Sequence, residues 1–317
     1  MYYVGVDLGG TKIAAGLITK QGDILYKESI ATMRERHYKD IVADISELVL
    51  NVTTKGGTDI ENVEYIGIGA PGTVNSKEGK VIYCNSLNFN NISIRAEIQK
   101  YINLPVFVDN DANCAAIAES TFGSSKGFMD SVMLTLGTGI GCGIIMNGKI
   151  YRGFNNAAGE AGHMVIVVDG KQCTCGRKGC FEAYSSATAL IRDTKEAAVK
   201  YPESIINTLV KGDLSLIDGK TAFDAEASGD EAGIMLITNY IKYLAEGIIN
   251  IINMFRPEIV VVGGGISAQG ENLIKPLRMI VDKGVYGGTE LPNTILSAAS
   301  LVNDAGIIGA AMLGKVG

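Results

Sequence analysis

One pattern occurs twice in this chain, 128 residues apart, and it restricts the fold more than any other feature. The apolar run Tyr2–Leu8, the turn Gly9-Gly10-Thr11 and a second run Lys12–Thr19 return as Ser131–Leu136, Gly137-Thr138-Gly139 and Gly141–Met146, with Leu8-Gly9 over Leu136-Gly137. Short apolar runs bounded by glycine read as buried strands and tight turns. Gln21-Gly22-Asp23 in the first copy and Asn147-Gly148 in the second turn the chain again, the latter a hairpin signal. Two similar α/β halves would produce this repeat; so would convergence on a common glycine-turn hairpin.

Between and after the copies the spacing predicts helices over 38–52, 92–101, 111–120, 181–200, 230–255, 270–281 and 305–313. It predicts strands over 63–69, 106–108 and 258–262. Asp109 or Asn110 stands near the start of the third helix, and Pro257 lies just past the long helix 230–255. The 317 residues suffice for two domains, and 47% hydrophobic content allows sizeable cores. A net charge of −6 without a basic run argues against nucleic acid. No apolar run reaches the roughly 18 residues of a membrane span, and no signal peptide opens the chain. Cys84, Cys114 and Cys142 lie scattered in apolar or glycine-rich surroundings and read as reduced core thiols, a cytoplasmic pattern.

Three glycine-rich turns each follow an apolar run: Asp7-Leu8-Gly9-Gly10-Thr11-Lys12, Gly137-Thr138-Gly139-Ile140-Gly141 and Gly263-Gly264-Gly265-Ile266-Ser267. Glycine lets backbone N–H groups approach phosphate oxygens, and a threonine hydroxyl adds a donor. Plain hairpin turns or close helix–strand packing would use the same residues. An aspartate such as Asp7 closing a strand beside a phosphate turn suits Mg²⁺, which prefers oxygen ligands. Gly263-x-Gly265-x-x-Ala268 with Asp282 fits a dinucleotide fingerprint, but Asp282 falls at the end of a helical run rather than a second strand. No Walker pattern, Gly-x-x-x-x-Gly-Lys-Ser/Thr, occurs.

His163 followed by Cys173, Cys175 and Cys180 offers four N/S ligands within eighteen residues, with Gly176 and Gly179 between. A closed set of four suits structural Zn²⁺; buried or disulfide-bonded cysteines are the alternative. Glu160 and Glu182 flank this clip, and carboxylates with an imidazole can satisfy sugar hydroxyls, which both donate and accept. Asn110-Asp111 stands at a strand-to-helix junction, where a carboxylate can be oriented by helix amides or can simply cap the helix.

In order along the chain, Asp7–Lys12, Ala70-Pro71-Gly72, Asn110-Asp111-Ala112-Asn113, Gly137–Gly141, Gly159-Glu160-Ala161-Gly162-His163 and Cys173-Thr174-Cys175-Gly176-Arg177-Lys178-Gly179-Cys180-Phe181-Glu182 resemble the ROK family of repressors and sugar kinases. The resemblance spans essentially the whole chain. It implies an α/β, actin-like ATPase (ribonuclease H-like) fold of two similar domains with an interdomain cleft. These would be 1–120 with a C-terminal helix at about 301–317, and 121–300 with the zinc loop 163–180. It implies ATP-dependent phosphorylation of a hexose, glucose first, at the 6-hydroxyl, with Asp111 as general base. Sugar contacts would come from Gly72, Asn110, Asp111, Glu160, His163 and Glu182. ATP and Mg²⁺ would engage Asp7, Gly9, Gly10, Thr11, Lys12, Thr138, Gly139, Gly264 and Gly265. Zn²⁺ would sit on His163, Cys173, Cys175 and Cys180, and the protein would be a homodimer. The loop Cys84-Asn85-Ser86-Leu87-Asn88 departs from the family pattern: Ser86 holds the position of an asparagine, and Asn85 is its candidate replacement. N-acetylmannosamine, N-acetylglucosamine, mannose, fructose or allose are the other acceptors. A non-catalytic sugar sensor is the other class. Repressor members carry an N-terminal helix-turn-helix, whereas this chain opens on a strand, which favours the kinase.

Overall fold

The computed structural model describes residues 1–316. Along the chain it forms β1 (Tyr2–Leu8), β2 (Lys12–Thr19), β3 (Ile24–Ala31), α1 (Tyr38–Lys55), β4 (Val63–Ala70), β5 (Thr73–Asn75), β6 (Lys80–Cys84), β7 (Phe89–Ile92), α2 (Ile94–Ile98), β8 (Val106–Asn110) and α3 (Asp111–Phe122). There follow β9 (Ser131–Leu136), β10 (Ile140–Met146), β11 (Lys149–Ile150), α4 (Glu182–Ser185), α5 (Ala187–Lys200), α6 (Ile205–Leu209), α7 (Thr221–Ala227), α8 (Glu231–Phe255), β12 (Ile259–Gly263), α9 (Glu271–Gly284), β13 (Ile295–Ala298) and α10 (Ala305–Met312).

The repeat is a repeat of topology. One five-stranded sheet runs β3-β2-β1-β4-β8 and the other β11-β10-β9-β12-β13. In the first, β1 to β3 form an antiparallel meander, and β4 and β8 join in parallel. In the second, β10 and β11 are antiparallel and β12 and β13 parallel. A shared turn motif does not explain two identical strand orders; duplication of a whole α/β half does. A small antiparallel sheet, β5-β6-β7, is additional.

The chain divides into two compact units: residues 1–133, 143–159 and 303–317, and residues 134–142 and 160–302. Segments 121–133 and 143–159 therefore group with the first unit, although the sequence reading put them in the second. The chain changes unit within β9, within β10, between Gly159 and Glu160, and between Val302 and Asn303.

Two predicted helices are corrected. Residues 181–200 form α4 and α5, not one helix, because Ser186 is extended (φ −77°, ψ 165°) and its hydroxyl caps α5 at the Ala189 N–H. Residues 92–101 hold only α2, because Ile92 pairs with Val81 as the end of β7. The long helix α8 ends as the sequence suggests: Arg256 is left-handed (φ 45°) and precedes Pro257. Among the described residues no helix is long and apolar enough to cross a membrane.

In the first unit α10 lies on the sheet at very short range. Gly16, Gly5 and Gly67 form one row across β2, β1 and β4. A Cβ on Gly5 would stand 1.9 Å from the Ile307 carbonyl oxygen, and one on Gly67 1.8 Å from that of Ala310. On its other side α10 meets α3 through Gly309, where a Cβ would fall 1.7 Å from the Cys114 oxygen. Gly67→Ala is expected to destabilise this unit by about 1–3 kcal/mol, the cost of overpacking a close-packed interior. Thermal unfolding reads it, and an unchanged midpoint would contradict the packing.

Candidate active site and metal centre

In the first unit, the C-terminal edge of the sheet carries the polar residues. Asp7 on β1 is in register with Gly69 on β4, which is in register with Asp109 on β8. Two strand spacings separate Asp7 from Asp109, about 10 Å. Gly9 follows directly: its N–H donates to the Lys12 carbonyl (2.9 Å), and its own carbonyl accepts the Thr32 hydroxyl (2.7 Å). A Cβ on Gly9 would press on that Lys12 oxygen at 2.9 Å, so the turn needs glycine. Gly10 faces Ser86, whose Cβ would lie 3.4 Å from a Cβ added at Gly10. Thr11 and Lys12 are exposed.

Asp7 packs against Gly306, at the start of α10, where an added Cβ would lie 2.7 Å from the carboxylate. Burial pushes its pKa up, and the nearby Lys12 only partly opposes this.

Asn110 is the N-cap of α3: its Oδ1 accepts the N–H groups of Ala112 (2.9 Å) and Asn113 (3.2 Å). Its Nδ2 donates to the Gly72 carbonyl (3.0 Å). Gly72 is left-handed (φ 85°) and lies so near the Tyr83 carbonyl that a Cβ would be 2.2 Å away. Asn110 therefore ties the Gly72 turn to the helix start, leaving one amide hydrogen for a ligand. Asp111 is the first residue of α3, with Oδ1 accepting the Ala112 N–H at 2.8 Å. Asn85 and Ser86 are exposed in the β6–β7 turn, where the Ser86 hydroxyl meets the Cys84 thiol at 3.2 Å.

Behind Asp111 lies a pair that the sequence reading did not single out. Asp109 is 1% exposed and joined to Arg152 by Nε (2.8 Å) and Nη2 (2.7 Å). No local spacing signals a partnership across 43 residues.

In the second unit, residues 160–182 fold into the clip. A single tight turn, Ala161–His163, presents the imidazole, and bridges Val165–Cys180 and Gln172–Lys178 close the loop. Gly179 (φ 81°) lies so close to the Val167 carbonyl that a Cβ would be 1.7 Å away. One ligand atom each from His163, Cys173, Cys175 and Cys180 falls within 4.8 Å of all the others. Cys175 and Cys180 sulfurs are 3.7 Å apart, as are the Cys173 sulfur and His163 Nδ1. Tetrahedral Zn²⁺, with bonds of about 2.3 Å to sulfur and 2.0–2.1 Å to nitrogen, requires edges of about 3.6–3.8 Å. The residues fit that ion, and 3.7 Å rules out a disulfide, whose sulfurs stand about 2.05 Å apart. Zn²⁺ would supply cross-linking here, a staple for a loop with little core of its own. Without it, burial pushes the Cys173 thiol up to about 12 and raises Cys180, whereas the Arg177 N–H lowers Cys175.

Glu182 connects the clip to the second glycine turn. Its Oε1 accepts from the Cys173 thiol (3.1 Å) and the Thr174 hydroxyl (3.2 Å), and its Oε2 would be 2.5 Å from a Cβ on Gly139. The turn is closed by Gly137 N–H on the Gly139 carbonyl (3.0 Å), with Thr138 between. His163 Nε2 points to Glu160, at 4.0 Å from Oε2. Gly264 (φ 83°) abuts the Leu136 backbone, where a Cβ would be 2.4 Å from the carbonyl oxygen, whereas Gly265 faces open space. Gly264 thus serves close packing of the third turn on the second.

The fold and these sites place the protein in a known class. A crystal structure of a ROK family glucokinase from Streptomyces griseus, in complex with glucose and AMPPNP, matches with TM-score 0.89 and 36% identity over 99% of each chain. A glucokinase of Thermotoga maritima is 39% identical over 315 residues, 98% of this chain and 96% of its own. The xylose repressor of Bacillus subtilis is 30% identical over 97% of this chain and 75% of the repressor. The architecture is the actin-like ATPase fold. The ROK family pattern matches residues 3–316, and the chain belongs to that family.

Two outcomes test this geometry. Wild-type protein is expected to hold about one Zn²⁺ per chain by elemental analysis, and Cys175→Ser to lose it, since three remaining ligands do not close a structural site; zinc retained by the variant would remove Cys175 from the set. Asp7→Asn is expected to raise the thermal midpoint at neutral pH. A carboxylate whose pKa is raised by folding stabilises the fold when protonated, and that contribution is lost as pH rises through the folded value. The gain should shrink as pH falls toward the ordinary aspartate value of 3.8; a variant less stable at neutral pH would reverse the assignment.

Proposed function

We propose that this protein transfers the γ-phosphoryl group of ATP to the 6-hydroxyl of a hexose, with glucose the preferred acceptor and Asp111 the general base. The observation that carries the reading is the first unit's sheet edge. It sets a phosphate-type turn after β1 and a capped, helix-borne carboxylate after β8, two strands apart. Ligands of open α/β sheets bind at the carboxyl ends of the strands.

In this reading the Asp111 carboxylate takes the proton of the 6-hydroxyl as its oxygen attacks the γ-phosphorus. The bond from that phosphorus to the β-bridging oxygen breaks, and ADP leaves with the electron pair. Such transfers rest on positioning and charge stabilisation. Gly10 and Thr11 in the first unit, and Thr138, Gly139 and Gly265 in the second, donate N–H and hydroxyl groups to phosphate, and Gly9, its N–H held by the Lys12 carbonyl, shapes the first turn. Lys12 adds a positive charge, and Gly264 sets the third turn. Asp7 would hold Mg²⁺, which neutralises phosphate charge when bound. For the sugar, the first unit offers Gly72, Asn110 and the Asn85-Ser86 loop, the second Glu160, His163 and Glu182. With Nδ1 committed to zinc, His163 Nε2 is the nitrogen left for a hydroxyl. A homodimer in the cytoplasm is the expected working form, read by light scattering.

The repressor relative supports a second reading, a sugar sensor that does not turn over. An ADP-release assay with glucose, mannose, fructose, allose, N-acetylglucosamine and N-acetylmannosamine separates the two. ATP-dependent turnover is expected, with the highest kcat/KM for glucose. Asp111→Asn is expected to lower kcat by roughly 10² to 10⁴, the usual contribution of a general base, with the sugar KM changed far less. Wild-type turnover in that variant would take the role from Asp111.

A further inference from the structure

We propose that Arg152, acting through Asp109, is the positioning residue for Asp111. The inference rests on Asp111 being the general base. Asp109 is the penultimate residue of β8 with its side chain buried, and four donors fill its carboxylate. Oδ1 accepts the Asn110 N–H (2.7 Å) and Asn113 Nδ2 (2.9 Å). Oδ2 accepts Arg152 Nε (2.8 Å) and Nη2 (2.7 Å).

The two Oδ1 donors belong to the residue before Asp111 and to the residue two after it. Asp109 therefore grips the first turn of α3 from both sides of the base, and Asn110 completes the cap. Burying a carboxylate is costly unless a cation pairs with it and its oxygens are hydrogen-bonded. Arg152 is that cation, delivered by the segment that follows β11. Removing it would leave Asp109 without its cation and loosen the grip on the Asn110 N–H and the Asn113 side-chain amide. Near-attack geometry tolerates little of this: about 1 Å of misplacement can cost about a hundredfold in rate.

The pair borders a cavity of about 250 Å³ lined also by Ser76, Lys77, Phe107, Val108 and Leu313. That space admits a free guanidinium ion once the Arg152 side chain is truncated.

Steady-state kinetics on the full-length enzyme, with ATP and glucose, tests the assignment. Arg152→Met is expected to lower kcat by about tenfold to a hundredfold while both KM values stay within about threefold. Arg152→Lys should recover part of the loss, and guanidinium chloride at tens of millimolar should restore part of kcat in Arg152→Ala. A packing role alone would lower the thermal midpoint and leave kcat of the folded enzyme untouched; an unchanged kcat in Arg152→Met overturns the proposal. If that variant does not fold, Asp109→Asn/Arg152→Met, which carries no unpaired buried charge, is read instead, with the same kcat deficit expected. Asp111→Asn measured alongside keeps the two readings apart. Its full activity removes the base itself; an inactive Asp111→Asn beside a fully active Arg152→Met removes only the positioning role.

Discussion

The first unit depends on backbone meeting backbone. The row Gly16, Gly5 and Gly67 strips side chains from the middle of the sheet, and α10 settles there until its carbonyl oxygens would touch any Cβ. Gly309 repeats the device on the opposite side of α10, against α3. Interiors packed at this density transmit position rather than absorb it. The placement of α3, and so of the carboxylate at its first residue, follows from four missing methyl groups. Gly306 extends the same helix to the Asp7 carboxylate, so one element seats both ends of the polar sheet edge.

In the loop 160–182 of the second unit a glycine again meets backbone, Gly179 on the Val167 carbonyl, but there is almost no regular structure to support it. Its small buried cluster is Cys173, Cys180, Ala183 and Tyr184, with Ile166, Val167 and Tyr243 packed against it. Covalent-scale restraint has to come from the four ligand atoms, which the fold has already brought to tetrahedral spacing. Glu182, accepting the Thr174 hydroxyl inside the clip, abuts Gly139, so the clip and the second glycine turn are neighbours through one side chain. Close packing holds the first unit, and in the second the four ligand-type atoms stand where a metal ion would cross-link the loop.

Much of this was legible along the chain because it is local. Glycine turns, the Asn110-Asp111 junction and the cysteine clip each declare themselves within a few residues, and the long helix α8 announces its period and its stop. What escaped is what depends on distant partners. Ser186 interrupts a helical pattern because its hydroxyl caps the next helix. Ile92 leaves a helical pattern to pair with Val81. The β5–β7 sheet rests on strands of three to five residues, too short to show a period. Gly264, grouped with the phosphate turns by its neighbours, is held by contact with the Leu136 backbone.

The amino-acid sequence by itself determined the repeated strand–turn–strand pattern, the family and the identity of nearly every candidate ligand, because those are properties of residue type and spacing, whereas the shared strand order is a property of the folded sheets. Tertiary structure alone decided that Asp109 is buried against Arg152, that three glycines on separate strands align under one helix, and that His163 turns Nδ1 rather than Nε2 toward the sulfurs. The physical reason is range. Turns and periods are set by neighbours in the chain, whereas a buried charge, a shared row across strands and the face of a ring are set by whatever folding brings alongside.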